Sequence, residues 1–270
     1  MWIDDSYCKL CLIYSRSKDL VELGHGDKLS KLLKRLAKIV DEENSRSKAF
    51  ANSFEYVKKL TRSRDPYQER KKMLKEIGRR IAQTVEKHLE SIGWDIREAI
   101  RISAAANIID TSVLGYENTK SLDEAIWDKP VIEDVFEIPK NEDIYIVLDN
   151  AGEAEIDKVL AKALTYNGYK TFIVVRNKAY EIDETDGDFD EKSFNIVSTP
   201  GSMSPVVYID RGLIIAKGIA NAEAYAEFGK TKSVHLLRAK CDVIAKRFGV
   251  PKNSVLIVSG DKVKSVLGGK

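Results

Sequence analysis

Two oxygen-bearing side chains, Asp149 and Asn150, directly follow an apolar run over residues 144–148. The run has the length and composition of a buried strand, and a helical pattern begins immediately after the pair. Because ligands of α/β proteins bind at the carboxyl ends of strands, the pair is a candidate ligand site. A carboxylate beside a carboxamide suits a hard cation such as Mg²⁺ or Mn²⁺. The alternative interpretation is that Asp149 only caps the helix that follows.

A third candidate ligand, Asp183, comes after the next strand-like run, over residues 171–175. The spacing of strand, helix and strand predicts a parallel pair with a right-handed crossover. Adjacent parallel strands leave their carboxyl-end loops beside each other, so we expect Asp183 to reach the same cation as Asp149 and Asn150. The alternative is that the acidic stretch 183–190 is a solvated loop, as most charge runs are.

A lysine marks the end of another predicted strand. Lys217 follows the apolar run 213–216 and precedes Gly218. An amine at a strand end is placed to meet an anion, and a glycine lets backbone N–H groups approach that anion. Asn221 and Glu223 come next, at the start of a predicted helix. The alternative is an ordinary strand-to-helix turn in which Asn221 is the N-cap.

Two further polar residues, Asn107 and Asp110, are three positions apart, which places them on one face of a predicted helix. They follow a patch of small residues, 103–106, that permits close approach of another backbone. Beside the sheet they could hold a ligand hydroxyl or support the metal ligands. The alternative is a helix end with capping side chains.

Other kinds of chemistry lack the residues they need. The three histidines belong to no Ser or Cys motif, and the chain has neither Gly-x-Gly-x-x-Gly nor a Walker A sequence. Cys8 and Cys11 have the spacing of a zinc or redox pair, but no second pair completes four ligands. With Cys241 the cysteine count is three, which argues against a disulfide framework. We interpret Cys8 and Cys11 as a pair of thiols at the start of a helix, packed against the body of the protein.

The chain is nearly neutral although it carries many charges. Its 270 residues include 44 basic and 42 acidic side chains, for a formal charge of +2. This balance gives no electrostatic reason to expect nucleic acid or an anionic membrane as a partner. The apolar fraction of 43% is enough for a substantial core, and neither a transmembrane run nor a signal segment is found. We therefore predict a cytoplasmic protein.

The elements that position these side chains fall into two regions, which we predict to be a helical region over 1–120 and an α/β domain over 121–270. Apolar residues recur at helical spacing over 29–40, 47–60 and 96–109. Between the last two segments they form one stripe of Met73, Ile77, Ile81, Val85 and Leu89. Asp27 and Asp65 are predicted to cap two of these helices. Runs typical of strands covered on both faces lie at 144–148, 171–175, 194–197, 206–209, 213–216, 234–237 and 255–258.

Together these motifs resemble the damage-control phosphatases, a family also catalogued as domain of unknown function 89. The resemblance is to the short archaeal-type branch with an N-terminal Cys-x-x-Cys, and the matching segments are spread over nearly the whole chain. The matching segments are Cys8–Cys11, Asp65–Tyr67, Ala105–Asp110, Leu148–Glu153, Leu213–Gly218 with Asn221 and Glu223, and Leu236–Cys241. The chain departs from the family pattern at Ala179, Ile182 and Ile219–Ala220.

The resemblance implies a helical N-terminal region on a three-layer α/β/α, Rossmann-like domain with a mostly parallel sheet. It also implies a divalent metal, Mn, Mg, Ni or Co, that is held by Asp149, Asn150 and Asp183. The implied catalytic residues are Asp149, Lys217 and Glu223. The implied substrate-binding residues are Asn107, Asp110, Lys217, Gly218 and Asn221.

We therefore expect a metal-dependent phosphatase that hydrolyses small phosphomonoesters, either sugar phosphates or damaged phosphometabolites. Homo-oligomer formation stays open. The metal would polarise a phosphoryl oxygen, and Lys217 would stabilise the equatorial oxygens. The sequence does not decide whether water or a carboxylate, Glu153 and Asp157 included, is the nucleophile. Alternatives are an S-adenosylmethionine-dependent methyltransferase, a non-catalytic protein that binds a metal or phosphometabolite, and a zinc or redox role for Cys8 and Cys11.

Overall fold

The strands lie side by side in one sheet, and helices cover both of its faces. The computed structural model describes residues 1–109, 113–116, 120–189 and 193–268. Within these ranges the strands are β1 Pro130–Glu133, β2 Ile144–Val147, β3 Thr171–Arg176, β4 Asn195–Thr199, β5 Leu213–Lys217, β6 Ser233–Arg238 and β7 Val255–Ser259. The helices are α1 Asp5–Glu22, α2 Leu29–Glu42, α3 Arg46–Thr61, α4 Gln68–Ser91, α5 Ile96–Ala105, α6 Leu122–Ala125, α7 Ala151–Tyr166, α8 Gly218–Phe228, α9 Asp242–Phe248 and α10 Gly260–Leu267. Among the described helices, none is long and apolar enough to cross a membrane.

The sheet has the strand order β1-β7-β6-β5-β2-β3-β4. Neighbouring strands are parallel except β6 and β7, which are antiparallel. The prediction of a mostly parallel α/β sheet is thereby confirmed. Because β2 lies between β5 and β3, the residues that follow these strands meet at one edge of the sheet.

Side chains of the central strands alternate between two apolar clusters, one on each face of the sheet. Ile146 and Ile215 belong to the cluster covered by α5 and α7. Val147 and Ala216 belong to the cluster covered by α8, α9 and α10. This alternation also fixes the direction of the polar side chains at the strand ends.

A third apolar cluster joins the N-terminal helices to the sheet. Leu12, Leu36 and Phe54, from α1, α2 and α3, pack with Tyr180 and Ile182, which follow β3. The loop that leads to Asp183 therefore rests on the N-terminal helices. The predicted division of the chain near residue 120 stays a prediction.

Helix α4 crosses the start of α7 at two glycines. A Cβ atom on Gly78 would lie 2.1 Å from the backbone oxygen of Gly152, and one on Gly152 would lie 2.9 Å from the backbone oxygen of Leu74. Neither distance is possible for a real side chain, so this close crossing requires glycine at both positions. The crossing brings α4 beside the residues that follow β2.

The predicted inward stripe of α4 is wrong at its first two positions. Met73 and Ile77 are 67% and 48% exposed, whereas Lys71 and Lys75 are buried. The helix is rotated in this way because Lys71 and Lys75 pair with Asp188 and Glu184, which follow β3. Ile81, the next residue of the stripe, is buried as predicted.

Three local expectations also differ from the structure. The run 206–209, predicted as a strand, lies in a 3₁₀ turn over Pro205–Tyr208, where the proline lacks the N–H that a strand ladder needs. Asp27 does not cap α2, which begins at Leu29 after Lys28. Helix α4 begins only at Gln68, and Asp65 instead accepts a bond from the N–H of Tyr67 at 3.2 Å.

Acid should destabilise the fold through His235 on β6. The side chain is fully buried, its Nε2 lies 2.8 Å from Ser233 Oγ, and its ring centroid lies 4.8 Å from that of Tyr225. Burial lowers the pKa of His235 from 6.5 to about 3, so between these values the unfolded chain binds a proton that the folded chain does not. The free energy of unfolding should therefore fall below pH 6.5, by about 2 kcal/mol at pH 5.

Chemical denaturation at pH 7 and pH 5 measures this effect. The variant His235→Phe keeps an aromatic ring in the same space but cannot bind the proton. Its loss of stability between the two pH values should be smaller than that of the unmodified chain by about 2 kcal/mol. The same pH dependence in both proteins would contradict the assignment.

Candidate active site

Asp149, Asn150 and Asp183 meet at the carboxyl edge of the sheet. The chain after β3 returns so that Asn150 and Asp183 form an antiparallel bridge. The N–H of Glu184 donates to the backbone oxygen of Asp149 at 3.0 Å. All three predicted ligands line the same cavity. The structure thus brings them together, and their role as metal ligands stays a prediction.

The carboxylate of Asp149 lies against the backbone of Gly218. A Cβ atom on Gly218 would lie 1.8 Å from Asp149 Oδ2, and the glycine has a φ of +79°. The same oxygen accepts a bond from Asn107 Nδ2 at 3.2 Å. In the structure Gly218 leaves room for this carboxylate, and its predicted contact with substrate stays a prediction.

Replacing Gly218 by alanine should displace Asp149 and weaken cation binding. We expect the affinity for Mn²⁺ to fall by at least about tenfold, as happens when groups behind a metal ligand are disturbed. Calorimetric titration with Mn²⁺ measures the change. Gly249→Ala is a matched control, because Gly249 has a similar φ of +68° but open space where its Cβ would lie. Equal Mn²⁺ affinities of the two variants would contradict this explanation.

The carboxamide of Asn150 is held in one orientation. Its Nδ2 donates to the backbone oxygen of Ile109 at 2.7 Å and to Glu153 Oε1 at 3.2 Å. Glu153 is fully buried and also accepts from Asn107 Nδ2 at 2.8 Å and from the N–H of Ile109 at 2.8 Å. Since the nitrogen is used in this way, the oxygen is the polar atom that Asn150 presents to the cavity.

Asp183 is fixed by a guanidinium group. Arg176, the last residue of β3, approaches Asp183 Oδ2 with Nε at 2.8 Å and Nη2 at 2.7 Å. Its Nη1 donates to the backbone oxygen of Ser202 at 2.6 Å. This forked contact compensates the buried charge of Asp183 and sets the direction of its carboxylate.

Two buried lysines of α4 anchor the chain that follows Asp183. Lys75 Nζ lies 2.8 Å from Glu184 Oε1 and also donates to the backbone oxygen of Asp188. Lys71 pairs with the carboxylates of Asp65 and Asp188. Burial raises the pKa of Glu184 to about 7, although the charge of Lys75 opposes the shift. Part of the acidic stretch that the alternative interpretation placed in solvent is therefore buried and paired.

Lys217 lies behind the cavity rather than in its wall. The side chain is fully buried, with Nζ 3.2 Å from Asp157 Oδ1 and 3.3 Å from Ser103 Oγ, and it also donates to the backbone oxygen of Ser103. Lys217 is in phase with Ile215, so the alternation of β5 directs it toward α5 and α7. Burial raises the pKa of Asp157, and Lys217 opposes that shift. Direct contact of Lys217 with phosphate stays a prediction that this geometry does not favour.

The predicted substrate-binding amides are also behind the cavity. Asn107 Nδ2 bonds to Asp149 and Glu153, and its oxygen accepts from the N–H of Arg238 at 3.2 Å. Asn221 Nδ2 donates to the backbone oxygens of Leu148 at 3.2 Å and Lys217 at 2.7 Å, and its oxygen accepts from Ser204 Oγ at 2.6 Å. Both side chains are fully buried supports of the site. Asp110 lies outside the described residues.

Cationic side chains on the cavity wall are the main group that the sequence analysis did not assign. Among the described residues they are Arg46, Arg176 and Lys240. Lys240 stands two residues after β6, as Asp149 stands two residues after β2, and its Nζ donates to the backbone oxygen of Ile109 at 2.7 Å. The available signal was a lysine within a few residues of the end of a strand-like run, a pattern similar to the one that drew attention to Lys217.

The cysteines form no bridge, and Cys8 and Cys11 are buried. Cys11 and Cys241 line the cavity. Throughout the described part of the chain, no group of three His, Cys, Asp or Glu side chains could hold a metal ion. The candidate cation site therefore depends on the oxygen of Asn150 beside the two carboxylates.

The fold and the cavity define an α/β protein whose candidate active site joins oxygen ligands and cations at adjacent strand ends. The family model of the damage-control phosphatase ARMT1-like domain matches residues 5–256. The chain therefore belongs to the damage-control phosphatase family.

Two curated relatives come from archaea. A damage-control phosphatase of Pyrococcus horikoshii is 26% identical over 246 residues, which cover 83% of this chain and 84% of the relative. A damage-control phosphatase of Archaeoglobus fulgidus is 26% identical over 210 residues, which cover 69% and 73%. A crystal structure of a DUF89 family protein from P. horikoshii superposes with a TM-score of 0.76 at 24% identity, over 94% of this chain and 97% of the other, and supports the fold.

Proposed function

We propose that this chain is a metal-dependent phosphatase that hydrolyses small phosphomonoesters. The observation that carries the proposal is the meeting of Asp149, Asn150 and Asp183 with Lys240 around one cavity. Membership of the family and the names of the two relatives support a phosphatase role. The proposed partner is a small phosphorylated metabolite.

The residues at the strand ends fit a divalent cation. Asp149 and Asp183 supply carboxylate oxygens, and the orientation of the Asn150 amide turns its oxygen to the cavity. Groups behind them fix their positions, which is typical of metal sites. An all-oxygen set that leaves positions for water and substrate suits Mg²⁺ or Mn²⁺. When bound, such an ion would polarise a phosphoryl oxygen and offset its negative charge.

Lys240 is the residue that we assign to the substrate phosphate. It lines the cavity that contains the proposed ligands, and it is 2% exposed. In such a confined site an ammonium group stabilises charge on the transferring phosphoryl group more strongly than it would in water. Lys217, held by Asp157 and Ser103, supports the strand end from behind.

The geometry also narrows the candidates for the nucleophile. Glu153 and Asp157 do not line the cavity, since Glu153 holds Asn150 and Asn107, and Asp157 pairs with Lys217. We therefore assign both carboxylates the role of holding these neighbouring side chains in place. We assign the attack on phosphorus to a water in the cavity, whose walls include residues of α1 and α3.

Metal reconstitution tests the proposal. The protein is stripped with a chelator, and Mn²⁺, Mg²⁺, Ni²⁺ or Co²⁺ is then added separately. We expect no phosphate release from p-nitrophenyl phosphate without metal and restored release with at least one of these ions. Metal binding without turnover on a broad panel of phosphomonoesters would contradict the proposal and favour a non-catalytic binding protein.

A further inference from the structure

Strand β1 lies at one end of the sheet, and none of the described strands pairs with its outer edge. On its inner edge it pairs with β7, where the N–H of Asp134 donates to the backbone oxygen of Ile257 at 2.9 Å. In a parallel ladder, alternate residues direct their backbone N–H and C=O groups to opposite edges of the strand. Glu133, the neighbour of Asp134, therefore directs these groups outward, where a further strand could bind them.

The outer edge of β1 presents an unpaired residue and several exposed apolar side chains. The ladder to β7 is irregular between Pro130 and Ile132, which leaves Val131 without a partner residue on β7. Val131 is 57% exposed, and Trp127, three residues before the strand, is 46% exposed. Val135, two residues after the strand, is 86% exposed, the highest value for a large apolar side chain among the described residues. Exposed apolar side chains beside an unpaired edge are typical of a surface that binds another chain.

These side chains lie on the side of the sheet that α5 covers. Arg101 of α5 donates through Nε to both carboxylate oxygens of Glu133, at 3.1 and 3.0 Å, which fixes the direction of Glu133. Side chains two residues apart on a strand point to the same side, so Val131 lies beside Glu133 there. Trp127 and Val135 line two neighbouring grooves that meet at Arg101. A second strand added to this edge would therefore place its side chains next to these grooves.

The charges along the edge identify a second copy of this chain as the fitting partner. Lys129 and Glu133 are four positions apart, with Val131 at the midpoint. If two copies pair antiparallel with their Val131 residues opposite each other, Lys129 of each copy faces Glu133 of the other. Cross-strand pairs of opposite charge stabilise a sheet, whereas like charges that face each other destabilise it. Lys129 is exposed and, within the described residues, makes no ion pair of its own.

Other registers of the same antiparallel pair lack this complementarity. Pairing centred on Ile132 would put the charge of Glu133 opposite Val131. Pairing centred on Glu133 would put the two glutamates opposite each other, which is unfavourable. The charged residues that usually protect a free edge from pairing thus permit it here in one register.

We propose that the outer edge of β1 is the interface of a symmetric dimer, in which the β1 strands of two copies pair antiparallel about Val131. The two sheets then continue into one, and Trp127 of each copy comes to the end of the interface where Val135 of the other lies. A two-fold axis makes the same residues serve both copies, as in most homodimers. Because the paired strands are short, we expect a dissociation constant of about 10 to 100 μM.

The dimer is independent of the proposed function, because the residues of this edge do not line the strand-end cavity. In that cavity Glu223, a predicted catalytic residue, pairs with Arg46, and its catalytic role stays a prediction. Phosphate release per chain should therefore be the same in Lys129→Glu as in the unmodified protein. Loss of the dimer and loss of turnover are thus separate results.

Sedimentation velocity from micromolar to millimolar protein concentration tests the interface. Lys129→Glu and Glu133→Lys should each raise the dissociation constant at least about tenfold, because each places like charges opposite each other. An equimolar mixture of the two variants should dimerise again, because both contacts of the mixed pair join opposite charges. Lys34→Glu, at an exposed position of α2, is the matched control and should dimerise like the unmodified chain. An unmodified chain that stays monomeric, or a mixture that does not recover the dimer, would overturn the inference.

A disulfide cross-link tests the register separately. Val131→Cys places two thiols opposite each other across the two-fold axis, where the Cα separation of a hydrogen-bonded antiparallel pair, about 5.5 Å, suits a disulfide. With glutathione disulfide as the oxidant, this variant should form covalent dimers at least about tenfold faster than Val135→Cys. Val135 is the matched control, because it is more exposed but does not face its own copy. Equal or faster cross-linking of Val135→Cys, with thermal unfolding unchanged in both variants, would overturn the proposed pairing.

Discussion

Asp149→Asn should lower the metal-dependent kcat/KM for phosphomonoesters by about 10³-fold or more, because loss of a bound cation removes several kcal/mol of transition-state stabilisation. The substitution removes one negative charge and keeps the shape of the side chain. Asp149 fits closely between Asn107 and Gly218, so a side chain of the same size preserves the packing. Phosphate release at saturating Mn²⁺ measures the effect.

The control for this experiment is the same chemical change at the other end of the same strand. Asp143 immediately precedes β2, is partly exposed and pairs with Lys170 at 3.0 Å. Asp143→Asn should retain its turnover, because this residue lies at the opposite edge of the sheet. Full activity in Asp149→Asn, with thermal unfolding unchanged in both variants, would show that the carboxylate at the strand end does not take part in the reaction.

Lys240→Met should lower kcat/KM by about 10²- to 10³-fold, because the phosphoryl group loses a charged partner in a confined site. Methionine keeps the length of the side chain and fills similar space. Metal affinity should be retained, since Lys240 is not among the proposed ligands. Mn²⁺ titration and phosphate release, measured on the same preparation, separate the two effects.

Lys217→Met distinguishes the two lysines. Its loss would leave the buried carboxylate of Asp157 without a cation, which is expected to cost about 3–5 kcal/mol of stability. In chemical denaturation, Lys217→Met should therefore lower the free energy of unfolding strongly, and Lys240→Met should lower it only weakly. The opposite result, a stable Lys217→Met protein that binds metal but lacks turnover, would restore the assignment of phosphate binding to Lys217.

The arrangement of Asp149, Asn150 and Asp183 could be predicted because it follows from local patterns. A short apolar run fixes each strand, and a single crossover helix between two such runs makes the strands parallel neighbours. The residues after β2 and β3 must then lie at one edge, whatever the rest of the chain does. The juxtaposition of these three side chains is the part of the site that needs no knowledge of distant contacts.

The choice between Lys217 and Lys240 could not be made in this way. Lys217 ends β5 and Lys240 stands two residues after β6. Both strands are buried on both faces, so hydropathy does not reveal toward which side each lysine points. That decision needs the order β6-β5-β2 and the packing of α5 and α7, which depend on the whole fold.

Buried cations of the helical region were equally hard to predict. Lys71 and Lys75 resemble ordinary surface residues in the sequence, because each has an acidic partner more than 100 positions away, Asp188 and Glu184 respectively. A charged residue is buried only when such a partner is present, and hydropathy assigns it to solvent until that partner is known. This explains why the inward stripe was misplaced at Met73 and Ile77.

A crystal structure of the protein with Mn²⁺ and inorganic phosphate tests the central claim most directly, since anomalous scattering locates the metal. We predict one Mn²⁺ site that contacts side-chain oxygens of Asp149, Asn150 and Asp183, with phosphate on the same ion and within hydrogen-bond distance of Lys240. A metal bound elsewhere, or no metal at the strand ends at saturating Mn²⁺, would contradict the account.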